Sequence, residues 1–284
     1  MEQAAVDALL EILDLEPIEV NIFRGRSPDE QRQRVYGGQV AGQAFIAAAR
    51  TVEDKTIHSL HSYFLFPGDP EVPILYEVER VRDTRSFATR RVQAIQHGRP
   101  IFSLSANFQV FEEGFDHQFP MPEDVPGPET LPDFRTRLEP WKEELGDWYS
   151  RPRPIDTRSC DWPVFNDRSS RPPYSNVWFR ADGVLPDDPA IHTCVVTYAS
   201  DMTVLDTSLR PHGGSGMGDV FMASLDHAMW FHRPFRADEW LLYAQDSPSA
   251  SGGRGLGRGL IYTEDGVLVA SVVQEGLIRP MRPG

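Results

Sequence analysis

The same order of sequence signals occurs twice in this chain, and an internal repeat constrains the fold more than any other feature. The first copy runs from VYGGQVAGQAFIAAARTV through HSLHSYFLFPGD to RSFATRRVQAIQHGRPIFSLSANFQV. The second runs from VTYASDMTVLDTSL through ASLDHAMWFHRPF to RGLGRGLIYTEDGVLVASVVQEG. Tyr36 aligns with Tyr198, His61 with His227 and Asn107 with Gln274, at nearly constant spacing. We therefore expect one folding unit that is duplicated.

Each copy predicts a helix followed by an antiparallel meander. In QVAGQAFIAAARTV, Val40, Ala44 and Ala48 recur at helical spacing, and small residues on all sides predict a closely packed helix. In the second copy the helix is expected to open at YASDMTVLD, with Ser200 and Asp201 at its start. RRVQAIQHGRPIFSLSANFQV and GRGLIYTEDGVLVASVVQ each contain two alternating runs around turn residues, which predicts two hairpins. A helix wrapped by a meander is an α+β layer.

A proline-dense segment separates the two copies. It runs from FPMPEDVPGPETLPDF to SRPRPIDTR, lacks periodicity and is too long for an ordinary loop. We interpret residues 1–113 as the first domain, 114–150 as a linker that straps across the surface, and 151–284 as the second domain.

Composition limits the classes of partner. With 284 residues, 40% of them hydrophobic, the chain can bury two cores, and no apolar run reaches the roughly 18 residues of a membrane helix. The two cysteines, Cys160 and Cys194, lack metal or disulfide spacing, so we expect a cytoplasmic protein without a metal site or membrane insertion. A formal charge of −14 disfavours nucleic acid, and any anionic ligand requires a local group of arginines.

Two glycine-rich motifs do not support nucleotide or serine-nucleophile chemistry. In HGGSGMGD, Ser215 is followed two residues later by Met217 where a nucleophile elbow has glycine. In GGRGLGRG, Arg258 stands where a dinucleotide loop has its third glycine, and these glycines are instead expected to permit close backbone approach in a sheet.

Four polar or titratable side chains have candidate roles: Gln274, Ser224 and His227 among apolar residues, and Asp201 at the predicted helix start. Alternation places Gln274 on the face of Leu268, Ala270 and Val272, although a glutamine at a strand end can simply face water. Treated as one strand, DVFMASLDHAMWF places Ser224 on a largely apolar face and His227 on the opposite face.

The ordinary roles of these side chains remain open at this stage. Ser224 can bond locally to backbone, Asp201 can cap a helix, and His227 is typical of a hydrogen-bonded core histidine. Wrapping the sheet around the helix would bring Asp201, Ser224 and Gln274 together.

Ordered blocks along nearly the whole chain resemble the acyl-CoA thioesterase II family, whose members are two fused hotdog folds. These blocks are LEPIEVNIFRG, VYGGQVAGQA, HSYFLFPGD, RRVQAIQHGRPIF, YASD, LDHAMWFHRPF, EWLLY, SASGGRGLGRG and GVLVASVVQEGLIRP. The resemblance implies a double hotdog in which Asp201, Ser224 and Gln274 of the second copy hold a water beside a thioester carbonyl. Phe66 occupies a position where many relatives have arginine, and Ser224 is the smaller of the two hydroxyl residues found at its position.

The same resemblance implies hydrolysis of fatty acyl-CoA without a cofactor, since coenzyme A is part of the substrate. Arg254 and Arg258 are the predicted contacts for its phosphates. The family commonly associates through its sheets, which implies a homo-oligomer, either dimer or tetramer, and the closing residues RPG are not a peroxisomal SKL signal.

Two alternative functions remain open. One is a hotdog hydratase or dehydratase that uses an Asp/His pair such as Asp226 and His227. The other is a noncatalytic acyl-CoA-binding protein.

Overall fold

A computed structural model describes residues 2–28, 33–161, 168–213 and 220–281. The first part contains α1 (Gln3–Leu13), β1 (Glu16–Glu19), β2 (Ile22–Gly25), α2 (Gly37–Ala49), β3 (Thr56–Phe64), β4 (Ile74–Asp83), β5 (Phe87–Gln96) and β6 (Arg99–Gln109). Short turns follow: α3 (Phe134–Leu138), α4 (Lys142–Leu145) and α5 (Asp147–Ser150), with 3₁₀ turns at Pro128–Thr130 and Glu139–Trp141. The last part contains β7 (Ile155–Ser159), β8 (Tyr174–Ala181), α6 (Pro189–Ser200), 3₁₀ turns at Val204–Ser208 and Arg210–His212, β9 (Val220–Ser224), β10 (Asp226–Phe231), β11 (Leu241–Ser251), β12 (Arg254–Thr263) and β13 (Leu268–Pro280).

The strands form one continuous antiparallel sheet with mirrored halves. Its order is β1-β2-β4-β5-β6-β3-β10-β13-β12-β11-β8-β7, so equivalent strands of the two copies lie at equal distances from the central β3–β10 pair. In that pair Ser62 lies opposite His227. Each half also holds one long central helix, which confirms the predicted α+β double hotdog.

The two central helices are buried and pack against each other. Alanine and glycine in α2 leave little side-chain bulk, and nearly every residue of this helix is buried. The start of α2 meets the end of α6, where the Tyr36 hydroxyl donates to the Tyr198 carbonyl at 2.9 Å. The Cys194 thiol contacts the Gly42 carbonyl at 3.3 Å farther along the helix pair.

The helix of the second copy lies earlier in the chain than the sequence analysis predicts. It begins after Asp188, whose carboxylate accepts a hydrogen bond from the Ala190 N–H at 2.9 Å, and Pro189 is its first residue. It ends at Ser200, so Asp201 follows the helix instead of opening it. The predicted start at YASDMTVLD and the alignment of Tyr36 with Tyr198 are therefore wrong.

The segment predicted as one strand from Asp219 to Phe231 contains two strands. Ser224 lies opposite Gly276, and Ala228 lies opposite Val273, so this side has one residue more than its partner strand between these points. That extra residue makes a bulge and shifts the alternation. Ser224 and His227 consequently both reach Gln274, which corrects the prediction that they face opposite sides.

The predicted hairpins are present, and the segment between the copies covers the second half of the sheet. His97 and Gly98 both have positive φ at the β5–β6 turn, and Gly266 does so at the β12–β13 turn. From the connecting segment, the Pro126 carbonyl accepts a hydrogen bond from the Trp178 indole at 2.9 Å, and the Pro120 carbonyl accepts one from the Tyr262 hydroxyl at 3.1 Å. Within the described residues, none of the helices has the length and apolar composition to cross a bilayer.

Glycines of β12 let the 3₁₀ turn Val204–Ser208 pack directly on the sheet. A Cβ at Gly257 would lie 2.5 Å from the Val204 carbonyl oxygen, and a Cβ at Gly255 would lie 2.3 Å from the Ser208 hydroxyl oxygen. The predicted structural role of GGRGLGRG is therefore confirmed. Most of HGGSGMGD, including Ser215, lies outside the described residues.

Replacing Gly257 with alanine is expected to lower the free energy of unfolding by about 1–3 kcal/mol, because backbone has to move to admit the methyl group. Urea unfolding followed by circular dichroism measures this effect. Gly114→Ala is the matched control, since a Cβ there meets nothing within 4 Å. Equal urea midpoints for the two variants would show that the contact is readily relieved.

Candidate active site

Asp201, Ser224 and Gln274 meet at the junction of the two halves. The end of α6 positions Asp201, the end of β9 positions Ser224, and the middle of β13 positions Gln274. The Ser224 hydroxyl donates to Asp201 Oδ1 at 3.0 Å, and Gln274 Nε2 donates to the same oxygen at 2.9 Å. Gln274 Nε2 also lies 2.9 Å from Ser224 Oγ. The structure thus brings together all three predicted residues.

His227 completes the hydrogen bonding of the Gln274 amide. Both side chains are fully buried, and His227 Nδ1 contacts Gln274 Oε1. Since Gln274 Nε2 donates to Asp201, its Oε1 has to accept, so His227 carries its proton on Nδ1. His227 Nε2 lies 2.8 Å from the Ser200 hydroxyl, whose other acceptor is the Thr197 carbonyl at 3.0 Å, and a neutral ring protonated on Nδ1 accepts from this hydroxyl. The amide therefore faces Asp201 in one orientation.

Burial sets the protonation behaviour of this group. Burial raises the pKa of Asp201, against the opposing effect of His227 and of hydrogen bonds from Ser224, Gln274 and the Gly38 backbone N–H. Burial also lowers the pKa of His227, which agrees with a neutral ring. A carboxylate with a raised pKa is a stronger base than an exposed one, while its partners keep it oriented.

The first turn of α2 approaches the Asp201 carboxylate through two glycines. A Cβ at Gly37 would lie 2.7 Å from Asp201 Oδ2, and a Cβ at Gly38 would lie 2.3 Å from the Tyr198 carbonyl oxygen. Only glycine permits this approach. The N-terminal end of a helix carries partial positive charge and free N–H groups. The site therefore places a base, the Asp201 carboxylate, next to hydrogen-bond donors that can bind an anion.

A cavity of about 580 Å³, called here the first cavity, opens onto these groups. Its lining includes Gly37, Phe64, Phe102, Asp201, Leu205 and Gln274. It is mainly apolar around the polar centre, an arrangement common to ligand pockets.

Asp206 also lines the first cavity. Burial, with the nearby Asp201 charge, raises the pKa of Asp206 to about 7. The cavity therefore contains, besides Asp201, the carboxyl group of Asp206, which titrates at about pH 7.

The predicted phosphate contacts lie elsewhere on β12. Arg254 Nε is 2.8 Å from Glu275 Oε1, and Arg258 Nε is 2.8 Å from Asp246 Oδ1. Neither arginine lies among the residues that line the first cavity. Phe66 does line it, and the Arg99 guanidinium lies 4.4 Å from the centre of its ring.

Two parts of this site do not follow from the sequence as interpreted above. Treating β9 and β10 as one strand makes His227 a core residue, away from Ser224. Gly37 and Gly38 have no predicted role, although two glycines at a helix start suggest a close backbone approach. Across the described residues, no group of His, Cys, Asp or Glu side chains could hold a metal ion.

Two family models match the chain. The acyl-CoA thioesterase model matches residues 158–277, and the acyl-CoA thioesterase N-terminal domain model matches residues 26–109. Acyl-coenzyme A thioesterase 8 of Rattus norvegicus is 43% identical, over 94% of this chain and 88% of that protein. The chain belongs to the acyl-CoA thioesterase family.

Two solved structures share the fold of this thioesterase chain. The crystal structure of acyl-CoA thioesterase II TesB2 from Mycobacterium marinum is 45% identical, with a TM-score of 0.81 over 96% of this chain and 99% of that chain. A hotdog-fold protein of unknown function from Alicyclobacillus acidocaldarius shares the fold at 18% identity, with a TM-score of 0.75 over 96% and 98% of the two chains.

The raised pKa of Asp206 makes stability depend on pH. Its ordinary value is 3.8 and its value in the folded thioesterase is about 7. The stabilising contribution of the protonated carboxyl is present below about pH 4 and is lost as pH rises through about 7. Asp206→Asn should match the wild type at pH 4 and exceed its free energy of unfolding at pH 8 by roughly 1–4 kcal/mol.

Urea unfolding at a series of pH values measures this difference. Glu113→Gln, which removes the carboxyl group of an exposed side chain, is the matched control. A constant difference between Asp206→Asn and the wild type from pH 4 to pH 8 would contradict the raised pKa.

Proposed function

We propose that the protein hydrolyses fatty acyl-CoA to a free fatty acid and coenzyme A by direct attack of water, without a covalent acyl-enzyme. The observation that carries this proposal is the meeting of Asp201, Ser224 and Gln274 within hydrogen-bond distance at the edge of a mainly apolar cavity. An acid, a hydroxyl and an amide around one position can hold a water molecule and remove its proton.

Asp201 acts as the general base. It accepts a proton as water attacks the thioester carbonyl carbon, and that proton can then pass to the departing thiolate, which leaves as coenzyme A thiol. The raised pKa of Asp201 brings its basicity closer to that needed at neutral pH. Hydrogen bonds from Ser224 and Gln274 hold the carboxylate in one orientation, so one oxygen remains available to water.

The start of α2 stabilises the oxyanion. Attack on a thioester places negative charge on the carbonyl oxygen, and backbone N–H groups at a helix start interact favourably with that charge. Gly37 and Gly38 bring this helix end next to Asp201. Each copy therefore has its own role: the first supplies the backbone N–H donors at the start of α2, and the second supplies the base.

The hydratase and binding-protein alternatives receive less support. A hydratase requires an acid and a histidine at the reacting carbon, yet Asp226 accepts a hydrogen bond from the Glu275 N–H at 2.7 Å while His227 faces Gln274. A binding protein needs no oriented base beside the ligand. A thiol reagent distinguishes hydrolysis from the two alternatives, because only hydrolysis releases free thiol. Enoyl-CoA absorbance distinguishes the alternatives from each other, since hydration removes it and binding without catalysis does not.

We extend the proposal to organisation and location. Residues 1–113 and 151–284 are the two hotdog units, joined by residues 114–150.

We also propose a cytoplasmic location, because both cysteines are free, as is typical of proteins in the cytoplasm. Tyr63 on β3, Leu75 on β4 and Phe221 on β9 are exposed, and contact with a second copy of the chain would bury such side chains. This supports a homo-oligomer, either dimer or tetramer. Sedimentation velocity measures its mass.

Asp201→Asn should lower kcat for an acyl-CoA by about 10²–10⁴-fold, because the amide retains the shape but cannot accept the proton. Thiol release measures kcat, and circular dichroism checks the fold. Glu113→Gln, at an exposed position outside the cavity, is the control and should retain the activity. Full activity of Asp201→Asn would remove Asp201 from the mechanism.

His227 is a positioning residue in this mechanism, since it acts on the water through Gln274. His227→Leu removes the donor and should lower kcat about 10²-fold with little change in KM, because Gln274 can then rotate. His227→Asn places an N–H near the former Nδ1 position and should restore much of the loss. Equal losses in the two folded variants would reduce His227 to a packing role.

A further inference from the structure

A second cavity, of about 860 Å³, lies beside the first. Leu9 and Ile12 of α1 form one wall, and Trp148 of the connecting segment with Arg151 and Arg153, which follow that segment, form another. Its volume lies in the range of small-molecule sites, about 300–1,000 Å³. The mechanism proposed above assigns no role to this cavity.

The two cavities adjoin at the catalytic centre. Arg34, Tyr36 and Met202 line both of them. Tyr36 immediately precedes Gly37, and Met202 immediately follows Asp201, so the second cavity begins at the groups that surround the thioester carbonyl. A substrate whose reacting bond lies at this junction can extend in both directions.

The two cavities differ in the charge of the side chains that line them. Among the described residues that line the second cavity, three are arginines, Arg34, Arg151 and Arg153, and none is acidic. The first cavity shares Arg34 but also has the carboxyl groups of Asp201 and Asp206, and the rest of both walls is mainly apolar. In a thioester of coenzyme A all of the phosphates lie on one side of the carbonyl, so the cavity with the more cationic wall suits that side.

Aromatic contacts hold Arg153 in place in the wall of the second cavity. The Arg153 guanidinium lies 3.6 Å from the centre of the Phe134 ring and 4.6 Å from that of Trp148. Arg153 Nη2 also donates to the Trp148 carbonyl at 3.0 Å. These contacts limit the conformations of the guanidinium before any ligand arrives, and Trp148 adds an aromatic surface against which a nucleobase can pack.

We propose that the coenzyme A moiety lies in the second cavity, with its phosphates near Arg34, Arg151 and Arg153, and that the acyl chain lies in the first. This inference rests on the proposed function and specifies how its substrate is oriented. It replaces Arg254 and Arg258 as the phosphate contacts, because neither of those arginines lines the first or the second cavity. A protein of charge −14 needs such a local group of cations to bind a polyanion.

Two substrates with the same acyl group test the proposal: the acyl-CoA and the acyl thioester of N-acetylcysteamine, which lacks the phosphates and the nucleotide. Arg151→Glu should raise KM for the acyl-CoA by roughly tenfold to a hundredfold, the usual effect of losing a charge-assisted contact. KM for the short thioester should stay unchanged. Arg254→Glu and Arg258→Glu are the matched controls and should leave the ratio of the two KM values at its wild-type level.

Several outcomes would overturn the inference while leaving the proposed function intact. One is an Arg151→Glu enzyme that loses activity equally on both substrates; another is a selective loss for acyl-CoA in Arg254→Glu or Arg258→Glu only. Arg151→Lys, which keeps the charge, should recover most of the affinity and exclude a folding defect. A wild-type protein that releases thiol from neither substrate would instead refute the proposed function.

Discussion

The hydrogen-bonded carboxylate of Asp201, partly buried between two helix ends, is the interaction on which the site depends. Taking a carboxylate out of water costs free energy unless other groups satisfy it, and here Ser224, Gln274 and the Gly38 N–H do so. These partners are neutral. They orient the carboxylate without placing a full positive charge in contact with it, so burial still raises its pKa.

The duplicated architecture explains why the base and the helix start meet. The mirrored sheet joins β3 to β10 at its centre and packs α2 against α6 with the start of one at the end of the other. Two identical units would repeat the same residues at both helix starts and at both helix ends. The sequence has diverged instead: α2 opens with Gly37 and Gly38, whereas α6 opens with Pro189. Asp201 follows α6, whereas Arg50 follows α2, so the junction between the α2 start and the α6 end combines both chemical roles.

The sequence predicted the strands well because period-two alternation and turn residues are local signals, as at His97 and Gly98. The start of α6 was predicted wrongly, because the capping residue Asp188 and the first helical residue Pro189 lie ten and nine residues before Tyr198, outside the segment YASDMTVLD. The sequence prediction also failed at the bulge near Leu225, since one extra residue in a strand has no compositional signature. The meeting of Asp201, Ser224 and Gln274 was predictable through family resemblance, whereas the contact between His227 and Gln274 depends on that bulge.

The bulge also explains how the Gln274 amide keeps a single orientation in the active site. A glutamine side chain can present either its oxygen or its nitrogen, and the wrong choice would set an acceptor against the Asp201 carboxylate. Bringing His227 to the same side as Ser224 gives Gln274 Oε1 a donor, and Ser200 in turn fixes the histidine ring through Nε2. Because Gln274 lies between them, the histidine orients the site without contacting Asp201, and the carboxylate remains basic.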